Sequence, residues 1–115
     1  MDTIAEDIAR DAAEELSQVY GSQLVIEVEK RLQGRPAEKA EDYTFGVAES
    51  VAIAGLIVSI ASFLYNVYKD QRDKAVADSK DATNRVLVEI QWPGNLDDPQ
   101  KKEIINAVLT RLGTR

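Results

Sequence analysis

The chain has 115 residues, 44% of them hydrophobic, and a formal charge of −6 with a pI near 4.6. It contains no Cys and no His, which excludes disulfide stapling, thiol nucleophiles, imidazole acid–base chemistry and zinc sites of the usual ligand types. The acid is concentrated in front, with twelve Asp/Glu against five Lys/Arg in residues 1–50 and eight against nine in 51–115, so a nucleic-acid partner, which needs a basic face, is not expected.

The length fits a single domain over residues 1–115. The first element reads as a helix from about Ile4 to Tyr20, with Ile4, Ile8, Ala12, Leu16 and Val19 on one face. Thr3 and Glu6 have the spacing of a capping box, and Gly21 is a natural stop. This acidic, amphipathic start lacks the basic and apolar regions of a signal peptide, so a cytoplasmic location is the expectation. Gln23 to Leu32 reads as a strand, because Leu24, Ile26 and Val28 alternate with Val25, Glu27 and Glu29. Gly34-Arg35-Pro36 ends it. Residues 37–42 are polar and read as a loop, and Tyr43 and Phe45 flank Thr44 in either a short extra strand or the lead-in to a helix.

A long central helix is expected from about Val47 to Asp78. Its last part is mixed in charge, with an Asp70–Lys74 pair at helical spacing. Asp78 to Asn84 reads as a polar linker. Arg85 to Trp92 reads as a second strand, Val86, Val88, Ile90 and Trp92 facing one way. Pro93-Gly94 suits the centre of a type II turn. A last helix is expected over about Pro99 to Leu112, with Asp98 as N-cap, Pro99 at the first helical position and Ile104, Ile105, Val108, Leu109 and Leu112 as its apolar stripe. Lys101 stands where a capping-box Glu would, so that box reads as incomplete. The expected class is therefore α+β, in the order α-β-α-β-α. A sheet of two to three strands would lie on the central helix, and the marginal sheet favours a homo-oligomer.

Ser50 to Tyr68 is the feature on which the kind of protein turns: nineteen residues without a charge. At ~1.5 Å per residue they span about 28 Å, against a bilayer's apolar thickness of ~30 Å. Gly55 and Ser59 form a small-xxx-small pair, and Tyr65 and Tyr68 sit where an aromatic belt would. Yet Ala, Ser, Gly and Asn dilute the strong hydrophobes, Glu49 abuts the run, and no basic cluster marks a cytoplasmic side. A buried core or oligomer-interface helix is the favoured reading. A single membrane span at about 50–68, placing the protein in an inner membrane, is the alternative.

Candidate chemistry is sparse. Ser59 and Ser62 lack a histidine base and suit close packing better than catalysis. Glu49 would be a proton site only if buried, and it suits the helix N-terminus. Asp97 and Asp98 suit capping better than a cation. The acids of the first helix, Glu6, Asp7, Asp11, Glu14 and Glu15, read as a solvated face. The six glycines form no phosphate loop. No catalytic residue, cofactor or metal is expected, although an enzyme working through carboxylates alone is a further alternative. The lone Trp92 with its turn is either the lid of its own core or a contact anchor. The candidate interface is Gly55, Ser59, Phe63 and Trp92.

The apolar segment Val47–Tyr68 with its charged tail Lys69–Lys74, followed by Arg85–Trp92, a turn and the helix Pro99–Leu112, resembles the effector-associated constant component family of bacterial conflict systems. The resemblance covers about residues 41–112. It differs in front, where an acidic helix precedes the first strand. It implies a non-enzymatic accessory protein that accompanies a toxic or proteolytic protein effector, and it carries over no site residue.

Overall fold

The computed structural model describes residues 3–34, 47–69, 79–92 and 96–113. Among them are five helices and no strand: α1 (Thr3–Tyr20), α2 (Gln23–Leu32), α3 (Val47–Tyr68), α4 (Ser79–Glu89) and α5 (Asp98–Gly113). The α+β expectation is therefore wrong: the first expected strand is a helix throughout, and the second is helical from Arg85 to Glu89.

The reason is visible in which side chains are inside. In α2, Leu24 and Val28 are buried while Ile26, which a strand would place beside them, is 50% exposed. That is the 3.6-residue period, not the period of two. Glu27 is also buried, held by Gln23 Nε2 at 2.9 Å and Lys30 Nζ at 3.4 Å. These are i,i+4 and i,i+3 partners, which only a helix brings together. In α4, Ala82 and Val86 are buried one turn apart, whereas Val88 is 81% exposed. An Asp81–Arg85 ion pair of 3.1 Å runs along its outside. The linker expected up to Asn84 is thus the first half of α4, from Ser79 onward. In both segments, β-branched residues favoured a strand locally and helix packing overrode them.

The remaining elements fall near their expected places, with changes at the ends and on the faces. α1 stops at Gly21, whose φ of +96° only glycine adopts freely and whose N–H donates to the Ser17 carbonyl at 2.9 Å. Its buried face is richer in alanine than expected: Ala5, Ala9, Ala12 and Ala13 join Ile8 and Leu16, while Val19 is 64% exposed. Alanine at these positions lets neighbouring helices approach closely. The regular helix of α3 ends at Tyr68, and the expected continuation over residues 70–78 lies outside the described residues. The loop at 37–42, the short strand near Tyr43 and Phe45, the Asp70–Lys74 pair and the Pro93-Gly94 turn lie outside the described residues.

α5 begins one residue earlier than expected, on Asp97 rather than Asp98. Asp97 Oδ1 accepts from the Gln100 N–H at 2.9 Å, and Gln100 Oε1 accepts from the Asp97 N–H at 3.1 Å. That is a complete capping box, with Gln100 in the reciprocating place. Asp98 instead lies 3.8 Å from Lys101 and is exposed. Asp97→Ala should therefore destabilise the protein by about 1 kcal/mol, and Asp98→Ala by a few tenths. Urea melts of the two variants check this, and equal losses would reject the assignment.

α3 lies at the centre, in contact with all four other helices; α1 also packs on α2 and α5, and α4 on α5. Ile53, Leu56, Ile57, Ile60 and Leu64 are all buried, and so is Tyr68 at its end. Ala52, Ser59 and Asn66, each seven residues from the next, form its outward line. One line of the helix is therefore small or polar, although residues 50–68 carry no charge. It is also the one helix among the described residues long and apolar enough to cross a membrane.

α1 and α2 are clasped at their surface. Arg10 donates to Glu29 through Nε at 2.8 Å and through Nη2 at 3.1 Å. The hydrogen bond from Arg10 holds the Glu29 carboxyl below its usual range, helped by Gln33, and the bond to Glu29 raises the guanidinium. A depressed carboxyl stabilises the fold above its unfolded pKa and loses that effect as pH falls through the folded value. Both side chains are more than a third exposed, so solvent screening limits the pair to less than ~1 kcal/mol. Glu29→Gln should lower stability by about that much at neutral pH and converge with wild type in acid, below the ordinary carboxylate range of about 4. Melting temperatures across pH check this; a constant gap would count against it.

Candidate functional site

A groove of about 550 Å³ runs beside the outward line of α3. Its floor is Ala52, Gly55, Leu56 and Ser59. Arg31, from the last turn of α2, forms one wall, and Ile90 and Trp92, just past α4, form the other. Three of the four residues expected at an interface, Gly55, Ser59 and Trp92, thus converge on one feature. Phe63 does not line it and packs against the core instead.

Gly55 does more than allow helices to approach. A Cβ built on it would lie 3.1 Å from Cζ of Arg31, closer than packed atoms ordinarily sit. The missing side chain is the seat on which the guanidinium rests. From there Arg31 Nη2 donates to the Val51 carbonyl at 3.3 Å. This spans the tail of α2 and the first half of α3 with one cation. Arg31 was not legible as a site residue, because nothing local marks it; its meaning comes from meeting a glycine on another helix.

Trp92 packs against the core and also borders the groove. It is half-buried, so it is a lid. Lys101 Nζ lies 5.9 Å from its ring centroid, within cation–π range. Its Nε1 is buried with no hydrogen-bond partner among the described residues, and the same holds for Arg31 Nε. A buried donor without an acceptor costs about 1–3 kcal/mol, so two in one groove are unusual. Ser59 is exposed on the groove floor and Ser62 is half-buried.

The other candidates disperse. Asp97 is occupied as a cap and Asp98 faces Lys101. Among the described residues no group of three or more acidic side chains is placed to hold a metal ion. Glu6 and Asp7 face Arg10, and Glu15 faces Arg111 at 3.5 Å. The acid of α1 is thus partly paired within the molecule. The side chain of Glu49 lies outside the described residues. Set beside known proteins, the chain matches no family model, no curated protein and no solved structure.

Proposed function

We propose that this chain is a small non-enzymatic interaction protein, cytoplasmic, and that the groove beside α3 is where a partner is received. The observation that supports it is the convergence of Arg31, Gly55, Ser59 and Trp92 on one open groove. A lone Trp and an Arg lining one groove are the composition of a contact hot spot. The small, exposed side chains of Ala52 and Ser59 let a partner approach α3 closely. The partner is a second copy of the chain or a different protein. An accessory role in a bacterial conflict system is the narrower form of this proposal. It drew on a strand at Arg85–Trp92 that is helical up to Glu89, so the groove, and not the resemblance, supports the reading.

The test is Ser59→Tyr, which fills the groove from an exposed position and leaves the core untouched. Tagged wild type purified from the cells that make it should retain a stoichiometric partner, or a dimeric molar mass by light scattering. Ser59→Tyr should lose it while keeping its helical spectrum. Identical partners and identical mass for both proteins would refute the groove as the contact surface.

A further inference from the structure

We infer that the groove binds a single carboxylate carried on an apolar body, with Arg31 receiving the carboxylate and Leu56, Ile90 and the Trp92 ring receiving the body. This rests on the groove being the contact surface, and it names the chemistry that surface accepts.

The first support is charge. Among the described residues the half-buried cations are Arg10, Lys30, Arg31, Lys101 and Arg111. Four of them face a carboxylate: Arg10 with Glu29, Lys30 with Glu27, Lys101 with Asp98 and Arg111 with Glu15. Arg31 alone has only a backbone carbonyl. In a protein with 20 Asp/Glu against 14 Lys/Arg, acid is abundant, yet none among the described residues is spent on this one. A partly buried guanidinium gains more from a carboxylate than an exposed one does, because fewer waters screen the pair.

The second support is the pair of unmatched donors. Arg31 Nε and Trp92 Nε1 both lack acceptors among the described residues, and a ligand oxygen reached by a small shift of either side chain would supply one. The third is size. A groove of about 550 Å³ falls in the ~300–1,000 Å³ range of organic-ligand sites. Glu89 also lies along the wall and is exposed. Its charge disfavours a dianion such as phosphate, which is why the ligand is a monoacid. A free organic acid and an acidic side chain on an apolar partner segment share this chemistry.

The readout exists in the molecule. Trp92 is the only tryptophan, so one indole N–H signal reports the groove in a nitrogen–proton correlation spectrum. The protein is titrated with octanoate, with octanamide as the uncharged control, and with the capped tripeptide acetyl-leucyl-glutamyl-leucine amide. Expected is a saturable downfield shift of the indole signal with an acid, absent with octanamide and at least tenfold weaker in Arg31→Gln. Tighter binding of octanoate marks a free acid as the source; tighter binding of the peptide marks a partner side chain. If Arg31→Gln does not fold, Gly55→Ala replaces it. That variant keeps the charge, displaces its seat and restores helix propensity, so binding should fall several-fold in a folded protein. No saturable shift with either acid up to about 10 mM, or equal shifts with octanamide, would overturn the inference. If wild type binds no acid while Ser59→Tyr still loses its partner, the ligand chemistry is wrong and the contact surface stands.

Discussion

Ile57→Asp should leave the protein unfolded in detergent-free buffer. Ile57 is fully buried on the inner face of α3, where four other helices meet it. A carboxylate there must either be desolvated or be protonated against its pKa, and the isoleucine's packing is lost as well. The sum is about 5 kcal/mol or more, comparable with the whole stability of a small domain, ~5–15 kcal/mol. Ser59→Asp is the control. It puts the same charge two residues along the same helix, on the exposed line, and should change stability by less than about 1 kcal/mol. Circular dichroism melts of the pair check both. A lipid-facing α3 would be damaged by either charge, so the asymmetry between the two variants separates a core helix from a span.

Leu24→Ala should destabilise by about 2–5 kcal/mol, and Ile26→Ala by less than about 1 kcal/mol. The difference follows from burial: Leu24 is fully enclosed, whereas Ile26 is half exposed. A strand would place both on the same face and make both costly, so the two numbers read the local period directly. Val86 and Val88 repeat the contrast in α4, the first enclosed and the second 81% exposed. Urea denaturation gives all four values. Equal losses within either pair would mean that segment is not helical as described.

The terminal helices were legible because their signals are local and redundant. In α5 the stripe Ile104, Ile105, Val108, Leu109 and Leu112 has one period, and all five are buried as expected. The stop of α1 at Gly21 was equally plain. The cap of α5 was legible in principle, since Asp97 and Gln100 stand three apart, but two adjacent aspartates made the choice ambiguous. α2 and α4 were not legible. In Leu24–Val28 the residues 24, 26 and 28 satisfy a period of two, while 24 and 28 also satisfy a helix turn. Over so short a run the two templates cannot be separated. What decides between them is nonlocal: Arg10 reaches Glu29 across the α1–α2 turn, and Arg31 reaches Val51 on α3.

The groove divides in the same way. Gly55, Ser59 and Trp92 stand out by residue type, and all three line the groove. Phe63 was included for its position on an apolar helix, and its packing against the core removes it. Arg31, which gives the groove its positive charge, looked like any helix-end or strand-end cation. Only the meeting of α2 with α3 shows why Gly55 lacks a side chain there. The proposed function is harder to read for the same physical reason: the groove is walled by residues on or next to two helices that local periodicity did not distinguish from strands.

The most direct test is a set of backbone carbon chemical shifts recorded in detergent-free buffer over residues 23–32 and 79–89. A bundle closed around α3 predicts helical shifts of one sign through both segments from a soluble protein. Shifts of the opposite, extended sign in either segment, or a protein that yields a spectrum only in detergent, would contradict it.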